Sequence, residues 1–206
     1  MGQLDRKRID TKARAEDYLA RASDLYIGRY RRGKFVDIDL RGAMVKVKRA
    51  LLLDPENYDA LALMGTILKE LNVSDEVPLQ AIEFYDRAIR IDPLNPEAYS
   101  SKADAFSDAG KYQRALASAR KAWRLTLQDK SADDFSIGVA CVSVRDILVK
   151  LKKWKEAGRV LREGLRRIRG EDRRWLQRML DLTTRRIEWE PPPPDKTSAP
   201  RLRRVK

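Results

Sequence analysis

The stretch Gly28-Arg29-Tyr30-Arg31-Arg32-Gly33-Lys34 has the glycine and lysine spacing of a loop that cradles nucleotide phosphates. Such a loop needs a Ser or Thr hydroxyl next, to meet magnesium, and here the next residue is Phe35. The pattern before it is helical rather than that of a strand, so the strand–loop–helix context is missing. The stretch reads as an arginine-rich connection between helices, and nucleotide binding is not expected. Cys141, the one cysteine, sits in "IGVACVSVRDIL". A reactive thiolate needs a nearby cation or base. Arg145 lies one turn away, but the chain contains no histidine, and apolar neighbours make Cys141 a small core residue. The absence of histidine also excludes Ser-His-Asp and Cys-His arrangements and removes the commonest metal ligand. A single cysteine excludes an intramolecular disulfide and a thiolate-rich metal site. Carboxylate and lysine chemistry remain open in principle. No catalytic, cofactor-binding or metal-ligating residue stands out, and the chain is expected not to be an enzyme.

Charge is more informative than any of these motifs. Lys and Arg number 44 against 31 Asp and Glu, a net +13. Residues 57–95 hold 3 basic and 7 acidic residues, whereas residues 145–186 hold 15 basic and 6 acidic. Arg166, Arg167, Arg169, Arg173, Arg174 and Arg178 are therefore a candidate basic surface, the electrostatic footprint of nucleic acid or an acidic partner. A solvated helix face explains the same charges. No aromatic-rich RNA-binding signature accompanies them, so sequence-specific readout has no support.

The elements that would position these residues repeat along the chain. A signature of two small residues flanking a third position, at offsets 0, 4 and 7, occurs four times. It appears as Ala43, Val47, Ala50; Ala81, Tyr85, Ala88; Ala115, Ala119, Ala122; and Ala157, Leu161, Gly164. These offsets share one helical face, and small residues there let a second helix approach closely. Upstream of each lies another amphipathic pattern: Leu19, Ala22, Ser23, Tyr26; Leu61, Met64, Gly65, Leu68; Tyr99, Lys102, Ala103, Phe106; and Cys141, Val144, Arg145, Leu148. Each unit is thus two helices and a short turn. "DAGKY" is such a turn, with Gly110 suited to a left-handed cap. "LDPEN" and "IDPLNPEAY" end one helix and open the next. The chain's 43% hydrophobic content is enough for a packed core.

These residues resemble the tetratricopeptide repeat family, best from Pro96 to Leu127 and more loosely over residues 15–170. Arg145 departs from the family's small residue, and insertions fall at "GRYRRGKFVDIDL" and "NVSDEVP". The resemblance implies an all-α, right-handed superhelical solenoid of about four helical hairpins. In that family the first helix of each repeat lines a concave groove that holds a segment of another protein. Mapped here, the groove positions are Asp17, Asp24, Asp59, Leu63, Thr66, Glu97, Ser101, Asp104, Asp108, Ser143 and Asp146. The family's carboxylate clamp needs Lys and Asn where this chain has Asp24, Leu63 and Ser101, so that activity is not implied. A partly acidic groove implies a basic or amphipathic protein segment as partner. The resulting expectation is a non-enzymatic adaptor or scaffold, with nucleic-acid association through the basic C-terminal helices as the alternative.

Around residues 15–170, the expected organisation is a basic N-terminal segment over 1–14, a capping helix over 171–189 and a Pro-rich, basic, disordered tail over 190–206. "EDRRWLQRMLDLTTRRIEW" puts Trp175, Met179 and Leu182 on one helical face, as a cap over a repeat edge requires. Charges in the first residues where a secretory signal would be apolar, and no apolar run long enough for a span, lead to the expectation of a soluble, cytoplasmic protein without membrane insertion.

Overall fold

A computed structural model describes residues 3–27, 30–31, 34–35, 39–71, 77–170 and 172–188. Its helices are α1 (Gln3–Ile27), α2 (Leu40–Leu53), α3 (Tyr58–Leu71), α4 (Val77–Ile91), α5 (Pro96–Asp108), α6 (Tyr112–Gln128), α7 (Asp134–Lys150), α8 (Trp154–Arg167) and α9 (Asp172–Glu188). Between α1 and α2, β1 (Tyr30–Arg31) and β2 (Lys34–Phe35) form a minimal antiparallel pair. Lys34 thus lies in a strand, and α2 begins only at Leu40, which is not the geometry of a phosphate loop. Gly28 and Gly33 lie outside the described residues, as do residues 72–76 of the second insertion and the tail from 189 onward.

The four signatures are the contacts that pair the helices. Ala43, Val47 and Ala50 are fully buried, as are Ala81, Tyr85 and Ala88. Ala115, Ala119, Ala122, Ala157 and Leu161 are no more than 2% exposed. Their partners on the preceding helices, among them Leu61, Met64, Ala103, Cys141, Val144 and Leu148, are buried as well. The turns follow from local chemistry. Gly110, at φ 68°, takes the left-handed conformation that closes α5, with Lys111 N–H donating to the Phe106 carbonyl at 2.8 Å. At the corresponding turn after α7 the left-handed residue is Lys152, at φ 59°, where a side chain is less comfortable than glycine. Asp39, Asn95 and Asp133 accept backbone N–H bonds at the starts of α2, α5 and α7, and Pro96 occupies the first turn of α5.

Which layer lies inside follows from the backbone contacts. Successive odd helices touch, α1 with α3, α3 with α5, α5 with α7 and α7 with α9. Among the described residues, no two of α2, α4, α6 and α8 approach in this way. A stack whose odd helices crowd together and whose even helices splay apart curves with the odd helices on its inner side. The inner layer is therefore α1, α3, α5 and α7, and the outer layer α2, α4, α6 and α8.

Two expectations change in detail. α1 runs unbroken from Gln3 across the boundary expected at residue 14, with Ala15 already fully buried. α9 packs on α8 and α7, but the face it buries is Leu176 and Thr183, with Met179 and Leu180 alongside. Leu182 points outward at 52% exposure, and Trp175 keeps a partly exposed ring against Gly138. The 3.6-residue period admits both registers of this sequence, and the space beside Gly164, filled by Leu176, selects one.

Candidate functional site

Equivalent inner-helix positions are held by Asp24 on α1, Thr66 on α3, Asp104 on α5 and Asp146 on α7, and Asp104 and Asp146 lie near enough to interact. A second series runs along α5 alone. Glu97, Ser101, Asp104 and Asp108 are spaced by four, three and four residues, so they share one face over roughly 16 Å at 1.5 Å per residue. Asp59 and Leu63 hold the matching face of α3, with Asp59 exposed and Leu63 half-buried. Below this surface Tyr85 is completely buried, with its hydroxyl at the groove floor. Thr66 Oγ1 donates to the Ala62 carbonyl at 3.1 Å and so accepts from the Tyr85 hydroxyl at 3.2 Å. Burial pushes the Tyr85 phenol up to about 12, and Asp104 and Glu70 add to the shift while Thr66 and Ser101 oppose it. Thr66 and Ser101 thus support the floor.

Basic side chains also reach the centre of this face. Lys69 and Lys150 stand close enough to Asp104 to lower its pKa against the opposing push of Asp108 and Asp146. Lys150 Nζ donates to Ser107 Oγ at 2.7 Å, and Asp146 is engaged by the adjacent Arg145 guanidinium. Both lysines come from the last turns of neighbouring inner helices, where only the stacking brings them together. Asp104 keeps access to water but sits in a protein-walled depression. Its pKa is raised above the ordinary carboxylate value, with burial as the main cause.

A raised carboxylate pKa means that the folded chain holds the proton more tightly than the unfolded one. Ionised Asp104 therefore costs stability at neutral pH. The cost is relieved as pH falls through the folded pKa, and it is gone below the unfolded value of about 3.9. Asp104→Asn is accordingly expected to raise the melting temperature at neutral pH, with the gain vanishing on acidification. Thermal melts across that range check this, and a variant that melts lower at neutral pH would contradict the sign.

At one end of α5 the surface opens into a cleft of about 730 Å³ between α5, α6 and α7. Its apolar lining includes Leu94, Phe135 and Val139, which are 71%, 64% and 42% exposed. Asp92, Glu97, Asp129 and Asp133 stand among them. Asp129 accepts from Ser131 Oγ and N–H at 2.6 and 2.8 Å, and Asp133 from Ser136 N–H at 2.8 Å. Those bonds hold both carboxyls below their ordinary range, hence ionised. Of the residues lining this cleft, the family resemblance points only to Glu97. The missed signal is Phe135, a large apolar residue in the first turn of α7 where core packing does not use it.

The arginines singled out in the sequence divide between elements. Arg166 and Arg167 end α8, Arg169 lies in the following turn, and Arg173, Arg174 and Arg178 are on α9. Arg173 is not free for a ligand, because its guanidinium donates to the carbonyls of Leu165 and Ile168 at the C-terminal end of α8. Cys141 is fully buried, and burial pushes its thiol up to about 12. It is a packing residue that donates to the Val160 carbonyl at 3.4 Å.

A stack of helical hairpins joined at small-residue contacts is a helical-repeat solenoid. Residues 84–117, from within α4 into α6, match the tetratricopeptide repeat family model. No curated protein sequence matches the chain. Among solved structures, the OM64 TPR domain of Arabidopsis is similar at 21% identity and a TM-score of 0.52, over 66% of this chain and 96% of that one. PilF of Pseudomonas aeruginosa is similar at 18% identity and a TM-score of 0.54, over 88% of this chain and 73% of that one. Residues 84–117 thus match one tetratricopeptide repeat, and the chain shares the fold of these two structures. None of the described helices is long and apolar enough to cross a membrane.

Proposed function

We propose that the chain is a non-enzymatic adaptor that holds a basic, amphipathic segment of a partner protein along its inner layer, anchored in the cleft between α5, α6 and α7. The observation that carries this reading is the company Leu94, Phe135 and Val139 keep: large apolar side chains left in water among four carboxylates. Covering one such side chain is worth about 1.5–3 kcal/mol. The surrounding carboxylates favour a partner with Lys or Arg beside its apolar residues and speed its encounter. From the cleft, the face of α5 bearing Ser101, Asp104 and Asp108 offers a continuing track. Lys69 and Lys150 beside that track fit acidic or amide groups interspersed in the same segment.

Selection from a displayed random-peptide library tests this directly. Selected binders should combine basic with bulky apolar residues. Phe135→Ala should weaken them at least tenfold, and the pair Asp104→Lys and Asp108→Lys should do so through the track, both without unfolding the chain. Binders that lack basic residues, or that ignore both sets of substitutions, would overturn the assignment of this surface.

A further inference from the structure

The two layers of the solenoid differ in charge. The outer helices α2, α4, α6 and α8 together contain 15 basic and 4 acidic residues. The inner helices α1, α3, α5 and α7 contain 10 basic and 12 acidic residues. Among these eight helices the net positive charge thus belongs to the outer layer, and not only to its C-terminal part. It is densest on α8, where Lys155, Arg159, Arg162 and Arg166 are spaced by four, three and four residues. That spacing makes one straight exposed ridge of roughly 16 Å at 1.5 Å per residue. Among the described residues none of the four makes an ion pair or hydrogen bond. The Arg120–Glu156 ion pair, at 2.7 Å, ties the outer side of α6 to α8 and brings exposed Arg124 of α6 alongside. Of the two carboxylates on α8, Glu156 is neutralised by Arg120 and Lys153, which leaves only Glu163 on that helix to offset its basic residues.

We infer that the outer layer is a second binding surface, centred on this α8 ridge and its α6 flank, for the phosphodiester backbone of nucleic acid. Three features separate that occupant from others. The cations are mostly arginines, whose planar guanidinium groups bind phosphate oxygens in pairs, whereas lysine serves as well for diffuse attraction to a charged surface. They form a line, which matches a chain of phosphates. No large apolar side chain is exposed on α6 or α8, whereas a membrane-docking surface would offer some to insert and a protein interface would need some to bury. The same lack of exposed aromatics leaves nothing on which bases could stack, so binding is indifferent to sequence.

The test uses the full chain with a poly-uridine oligonucleotide, a duplex DNA of mixed sequence, and phosphatidylserine-containing vesicles. Four phosphate contacts predict that affinity falls about 50- to 150-fold between about 50 and 200 mM salt. Replacing Arg159, Arg162 and Arg166 by Gln keeps the helix-forming character of α8 and should weaken nucleic-acid binding at least tenfold, with an unchanged melt. Arg41→Gln, Lys48→Gln and Arg49→Gln on α2 remove the same three charges from exposed positions and should have a clearly smaller effect. Asp104→Lys with Asp108→Lys should leave nucleic-acid binding intact, so this inference and the groove reading fail separately. Four results would each overturn the inference: no binding at low salt, salt-insensitive binding, equal effects of the α8 and α2 variants, or vesicle binding as tight and as dependent on the ridge.

Discussion

A chain ending at Gly170 is expected to aggregate, or to self-associate beyond the state of the full chain. α9 is bound into the fold at several points. Leu176, fully buried, lies 3.0 Å from where a Cβ on Gly164 would stand, and the Trp175 ring lies at the same distance from the corresponding point on Gly138. Arg145 Nε donates to Thr183 Oγ1 at 3.2 Å, and Arg173 closes the carbonyl end of α8. Removing α9 opens to water a surface that includes Cys141, Leu165 and Ile168, and strips Arg145 of that partner. At about 1.5–3 kcal/mol for each large core side chain exposed, the loss rivals the 5–15 kcal/mol by which domains are usually stable. An open repeat edge is also a ready template for another copy. Light scattering after gel filtration, together with urea unfolding, reads both effects. A monodisperse species of the same oligomeric state as the full chain, with an unchanged midpoint, would show that α9 is an appendage rather than a cap.

The helical pairing was legible because it depends on small residues at fixed offsets, and a one-dimensional pattern records such offsets. The Ala81, Tyr85, Ala88 signature and its copies need no tertiary information to be recognised as one face. The register of α9 was not legible in the same way. Trp175, Met179, Leu182 and Leu176, Met179, Leu180, Thr183 are both plausible faces, and the choice rests on the shape of the α7–α8 edge. Arg145 looked like a flaw in the repeat and is instead a link to α9, a role that only the neighbouring helix reveals. The repeating inner-helix positions of Thr66, Asp104 and Asp146 were legible from the same offsets, but the charges around Asp104 were not. Lys69 and Lys150 are distant in sequence from Asp104 and reach it only through stacking. The separation of charge between layers was hidden by summing along the chain, because inner and outer helices alternate every fifteen or so residues.

Gly65→Ala is expected to destabilise the chain by about 1–3 kcal/mol, the usual penalty for overpacking a core. A Cβ on Gly65 would stand 2.6 Å from Tyr85 Cε1 and 2.8 Å from its Cζ, closer than carbon atoms can come. The ring cannot swing aside cheaply, because Tyr85 is fully buried and its hydroxyl is bonded to Thr66. The third unit solves the same contact the other way, with Ala103 on α5 and the small Ala119 in the position of Tyr85. A large residue at the Tyr85 position thus goes with glycine opposite it, and the two positions should be energetically coupled. In a Tyr85→Leu background most of the Gly65→Ala penalty should disappear, even though Tyr85→Leu is itself destabilising. For a chain of this length, each kcal/mol corresponds to about 2–4 °C in melting temperature, so the four melts of the cycle resolve the coupling. Additive effects would place Tyr85 elsewhere than over Gly65. Because the displaced hydroxyl also supports Thr66 and lies beside Ser101, the single Gly65→Ala variant should weaken groove ligands more than its small loss of stability explains. Relative to Tyr85→Leu alone, the double variant, with no tyrosine to displace, should show no such excess.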